Sequence, residues 1–163
     1  MQATLRISTL LLALASALPL AAPAQVQVPA QAQPALVQAA PDVAGQWSDF
    51  LAHGTIEKAN AAALVIDTLG YTVDSVDADK CRQHASELAT ALRDVPVSML
   101  IQHAAMLCGE ATGDRAGAER ASAMLAALAK DAFAQATRGA WPKPVRIVYP
   151  GDAIALFASA GMT

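Results

Sequence analysis

The chain has 163 residues, with 14 acidic and 11 basic side chains, three histidines and a formal net charge of −3. That length suits one domain, and the acidic balance offers neither a basic face for nucleic acid nor a cationic cluster for an anionic membrane surface. Aromatic residues make up 4% of the chain while Ala and Leu abound, which favours close-packed helices over a sheet sandwich.

The N-terminus reads as a secretory signal peptide over residues 1–24. "MQATLR" carries one Arg and no acid, and the apolar run "ISTLLLALASAL" leads into "PLAAPAQ", with small residues placing cleavage after Ala22 or Ala24. A transmembrane anchor needs about 20 apolar residues, and Pro19 and Pro23 interrupt the run too early. No Cys follows the small residues, which argues against a lipid-anchored mature terminus. Cleavage would leave a periplasmic or secreted protein that has lost only Arg6 among its charges. Residues 25–41, "QVQVPAQAQPALVQAAP", have no charge, three prolines and repeated Gln and Ala, and read as a flexible tether.

Residues 42–140 read as a mainly α domain of antiparallel helical hairpins. "WSDFLAHG" places Trp47, Phe50 and Leu51 on one side of a short helical turn stopped by Gly54. Thr55 is a suitable N-cap for a helix over about 56–69, with Ile56, Ala59, Ala63, Ile66 and Leu69 as its apolar stripe and Gly70 as its stop. After the connection "YTVDSVDAD", Cys81, Ala85, Leu88, Leu92 and Val95 define one buried face of a helix over about 78–94. Pro96 then breaks that helix and suits the first turn of the next, over about 96–111, which buries Val97, Leu100, Ala104, Leu107, Cys108 and Ala111. So tight a corner implies an antiparallel pair.

"TGD" marks another turn, with Asp114 as N-cap of a helix over about 115–138. Its apolar side carries Ala118, Ala121, Leu125, Leu128, Ala132 and Ala136, and Gly139 ends it. In "WPKPVRIVYPGD" two prolines forbid a helix, Val145–Tyr149 reads as a short strand, and Asp152 can cap a last helix over 153–160 stopped by Gly161. A lone strand leaves backbone groups unpaired. Residues 141–163 are therefore either the start of a module that continues elsewhere or an extended segment lying on the helices.

The two cysteines and two of the histidines fall within Lys80–Glu110. As C-x2-H…H-x4-C the cluster has zinc-type ligands. Cys81 and His84 are about 60° apart around a helix and could share a site, but His103 and Cys108 are about 140° apart and face different ways. A disulfide fits better. Cys81 lies about 14 residues before the Pro96 corner and Cys108 about 12 after it, so a rise of about 1.5 Å per residue brings them to similar heights. Ala85, Ala104 and Ala105 let the helices approach within the roughly 7 Å that bridged Cα atoms require. Export supplies the oxidising compartment, and closing this loop would stabilise by roughly 3–4 kcal/mol on the chain-entropy model. Two buried free thiols are the alternative, while a redox pair usually wants C-x-x-C.

His53 and Glu57 are four residues apart but are separated by a helix boundary, with no third ligand in view. With His84 they are the remaining metal candidates. "GEATGDRAG" lacks the Gly-Lys-Ser/Thr of a phosphate loop, and G-x-S-x-G and H-E-x-x-H are absent, so no catalytic residue and no cofactor is assigned.

One segment resembles a known family. "MLIQHAAMLCGEATGDRAGAERASAMLAAL", Met99–Leu128, looks like a tetratricopeptide-type hairpin: two amphipathic helices, a turn at Gly113-Asp114, and Ala118, Ala121 and Leu125 near the crossing positions. Gly109 stands about where the family usually has a large aromatic residue. The resemblance implies a packed helical scaffold that binds a protein or peptide. The expected function is thus an exported interaction module. The alternatives are the N-terminal helical domain of a larger secreted enzyme, or a secreted inhibitor or effector.

Overall fold

A computed structural model describes residues 40–136 and 145–160. The signal-peptide reading, all but the end of the tether, the stops at Gly139 and Gly161, and the burial expected of Ala136 lie outside the described residues. Within them the chain is mainly helical: α1 Val43–His53, α2 Ile56–Thr68, α3 Ala78–Gln83, α4 Ala85–Asp94, α5 Met99–Thr112, α6 Arg115–Ala136 and α7 Pro150–Ser159. No helix there is long and apolar enough to cross a membrane.

The helix starts follow local chemistry. The side chains of Asp42, Thr55, Asp77 and Ser98 each accept a backbone N–H from the first turn of α1, α2, α3 and α5, filling donors that have no partner within a helix. Gly113 closes α5 in the left-handed region at φ +83°, where a Cβ would be strained, and lets the chain turn into α6 within two residues.

Helix α5 is the centre of the domain, and α2, α3, α4, α6 and α7 all pack on it. It stands between two apolar clusters. Ile101, Ala104, Ala105 and Cys108 join Ala62, Ile66, Leu69, Cys81 and Leu88 on one side. Val97 and Met99, at its start, join Trp47, Leu125, Leu128, Ala155 and Leu156 on the other. Each fully buried aliphatic side chain, such as Leu69 or Ile101, contributes about 1.5–3 kcal/mol.

Several expected stripes are displaced. On α2 the buried residues are Ala62 and Ile66, followed by Leu69, while Ile56 is 72% exposed and Ala59 and Ala63 are half-buried. The continuous helix expected over 78–94 is broken at His84, which leaves helical geometry at φ −104°, ψ 22°. On α3–α4, Cys81, Leu88 and Val95 are buried as the periodicity predicts, but Ala85 is exposed and Leu92 half-buried, with Ala91 inside instead. Helix α5 starts at Met99 rather than Pro96, because Ser98 supplies a side-chain cap. Surrounded on several sides, it buries Ile101 and Ala105 beyond the expected stripe and exposes Ala111.

Residues 145–149 form no strand. Positions 145–147 are irregular and 148–149 bend into α7. The reason is visible in their hydrogen bonds: Val148 and Tyr149 donate their amides to the Asp152 carboxylate rather than to a neighbouring strand. Helix α7 accordingly begins at Pro150, three residues earlier than expected, with Pro in the first turn, where its missing N–H costs nothing.

Candidate functional site

Most of the buried polar chemistry is spent on architecture. Asp152 is fully buried on α7, and no cation pairs with it among the described residues. Its charge is instead met by four donors: Oδ1 accepts from Ser98 Oγ at 2.7 Å and Leu100 N at 2.8 Å, and Oδ2 from Val148 N at 2.7 Å and Tyr149 N at 3.0 Å. Ser98 caps α5 and Leu100 lies in its first turn, so one carboxylate serves the N-termini of both α5 and α7. Both helix dipoles favour negative charge there. Tyr149 also donates its hydroxyl to the Ala59 carbonyl on α2. Burial, and then the charge of Asp152, push the Tyr149 phenol up to about 12.

A second polar pair lies on α5. His103 Nδ1 is 2.9 Å from Tyr71 Oη, with the rings edge to face. Burial holds the imidazole below its ordinary value, against a smaller upward pull from Glu110 and Asp74. The contact fixes the α2–α3 connection, which also holds itself through Thr72 and Ser75.

The cysteines converge. Cys81 Sγ and Cys108 Sγ lie within bonding distance, with Cα atoms 5.5 Å apart, and both residues are buried. The three metal candidates do not converge. His53 is exposed on α1 with Nδ1 2.9 Å from Asp49 Oδ1. Glu57 is exposed on α2, its carboxyl held below the ordinary range by its own amide and then by the Thr55 hydroxyl. His84, at the α3–α4 break, has Nδ1 3.9 Å from Glu87 Oε1. Among the described residues no three His, Cys, Asp or Glu side chains form a metal-holding group.

One feature with space for another molecule is a trough of about 450 Å³ over α5. Helix α4 gives one wall through Ala85, Leu88, Ala89 and Leu92, and α6 gives the other through Gly117, Arg120, Ala121 and Met124. Ala105 and Cys108 lie at its floor, beside the Cys81–Cys108 contact, and Gln46 of α1 also lines it. A larger cleft of about 690 Å³ follows α6 past Gly109. Its rim holds Glu110, Arg115 and Glu119, and its small exposed side chains give it no large apolar anchor.

Sequence reasoning missed the joint role of Asp152 and Ser98, the Tyr71–His103 pair and the trough. Only Asp152 left a local signal, as an acid just inside a helix start. No protein-family model matches the chain, and no curated protein or solved structure matches it.

Proposed function

We propose that this chain is an exported helical interaction module, built from antiparallel helical hairpins, that binds another protein or peptide. The observation that carries the reading is where the polar groups are used. The side chains of Ser98, Gln102, His103 and Asp152 are all buried and all engaged within the fold. What the described residues leave available includes large apolar side chains such as Leu51 at 68% and Leu64 at 65% exposure, and the trough over α5. The N-terminal apolar run and the proximity of Cys81 and Cys108 support export into an oxidising compartment.

The test is to express the full chain with a C-terminal tag, fractionate the cells, and crosslink the envelope or secreted fraction. The reading expects a product shortened at Ala22 or Ala24 that crosslinks saturably to one partner. An unprocessed cytoplasmic chain, or an exported chain with no saturable partner, would count against it.

A further inference from the structure

The connection between α2 and α3, residues 69–77, lies against α5 as a strap that is anchored at both ends. Leu69 is fully buried at one end, and the other end leads into α3, where Cys81 meets Cys108. Between them the backbone bonds are the strap's own: Thr72 N donates to the Ser75 carbonyl at 2.8 Å and Asp77 N to the Leu69 carbonyl at 3.0 Å. Among the described residues, the hydrogen bond that ties 70–76 to another element is the one between Tyr71 Oη and His103 Nδ1. Gly70, in the left-handed region at φ +62°, stands next to this pin as a hinge.

The pin depends on a neutral imidazole. Burial holds the Tyr71 phenol above its ordinary value, so it keeps its proton through the neutral and acid range. The lone pair at Nδ1 is the acceptor that the described residues offer it. Protonation turns both ring nitrogens into donors, which removes that acceptor. It also places a charge on a ring that is 6% exposed, and burial opposes such a charge.

Water and negative charge lie close by. One and two turns along the same face of α5, Leu107, Glu110 and Ala111 meet Asp74, Ser75 and Val76 of the strap around a cleft of about 310 Å³. Glu110, on the same helix, and Asp74, on the strap, are the charges that act on the ring, and none on α2, α3, α4, α6 or α7 is among them. Lys80 of α3 lies beside Gly70 at the hinge. Neither Glu110 nor Asp74 has an ion pair among the described residues. Both carboxylates therefore favour an imidazolium that faces the cleft over one shut in against Tyr71.

We propose that residues 69–77 are an acid-released strap: protonation of His103 breaks its bond to Tyr71, the strap lifts from α5 about its two anchored ends, and the cleft beneath it opens to water. The rest of the domain stays folded, because Leu69 and the Cys81–Cys108 contact hold the ends. The device operates with or without a partner, so it stands or falls separately from the interaction-module reading.

The test is an NMR titration of the full chain from pH 7.5 to pH 5. It follows the His103 ring, the cross-peak between the Tyr71 and His103 rings, and amide exchange corrected for its intrinsic pH dependence. The proposal expects the cross-peak to vanish and exchange at Thr72 and Asp77 to accelerate with the same midpoint as the His103 ring, while α5 and α6 stay protected. The sign is fixed by burial: the ring is held below 6.5 in the fold, so release grows as pH falls below 6.5. His103→Gln keeps a polar partner for Tyr71 and should hold the strap closed down to pH 5. Asp74→Asn, at an exposed position, should move the release to lower pH. A ring that titrates with its cross-peak and the strap amides unchanged would overturn the proposal, as would the same release in His103→Gln. Loss of protection in all helices together would also overturn it, because the event would then be unfolding of the whole domain.

Discussion

The two ends of α5 are fastened by different chemistry. At the N-terminal end one buried carboxylate gathers four donors from two helix starts, so the joint exists only when α5, α7 and the residues before α7 are all in place. At the C-terminal end the joint to α3 is a pair of sulfurs 27 residues apart in sequence, which acts chiefly on the unfolded chain. The first joint is cooperative and strands buried donors when broken. The second is a tether whose loss leaves little unsatisfied. Equal damage at the two ends should therefore look different.

The largest effect is expected from Asp152→Ala, which leaves the Ser98 hydroxyl and three backbone amides without their acceptor. It should destabilise by about 4 kcal/mol and release residues 145–160, seen as rapid amide exchange in α7. Intact protection of α7 would show that the carboxylate is not the joint. Cys81→Ala should cost about 3.5 kcal/mol for a loop of this size and lower the melting temperature by on the order of 10 °C, with helix content unchanged. Gly109→Ala probes the packing of α5 on α6. A Cβ there would meet Ala118 N at 2.7 Å and Asp114 O at 2.9 Å, backbone atoms that cannot swing aside, so a loss of about 2 kcal/mol is expected despite alanine's better helix propensity.

Two smaller effects separate the polar contacts by pH. The Tyr149 phenol is raised from 10.0 to about 12 in the fold, so the unfolded chain releases its proton first. Its contribution is complete below pH 10 and is lost as pH rises through about 12. Tyr149→Phe should remove that share of the alkaline loss, measured as melting temperature against pH. His103 is lowered from 6.5, so between its folded value and 6.5 the unfolded state holds more protons. Stability is complete above 6.5 and declines as pH falls through that window. His103→Gln should flatten this part of the profile, and an unchanged slope would remove the buried imidazole from the account.

What was legible in the sequence was local. The stripe on α6 is buried as periodicity predicts from Ala118 through Ala132, because α6 packs chiefly against α5, with α1 and α7 meeting it more lightly. The stripe on α5 broadens because the helix is covered from several directions, which no single-helix pattern contains. Thr55 caps α2 as read, but Asp152, read as a local cap, also reaches Ser98 and Leu100, 54 and 52 residues away in sequence. The extended reading of Val145–Tyr149 missed that a carboxylate could take the amides a strand would need. The histidines were suggestive by type alone. His103 is taken up by Tyr71, and His53 and His84 each sit beside one acid.

We propose an exported helical module whose α5 is fastened at one end by a Cys81–Cys108 bond. Intact mass after alkylation, on protein taken directly from the envelope or secreted fraction, tests it most directly. The account predicts a chain shortened at Ala22 or Ala24 that takes up no alkylating groups until reduced and two afterwards. A full-length chain with both thiols labelled before reduction would contradict it.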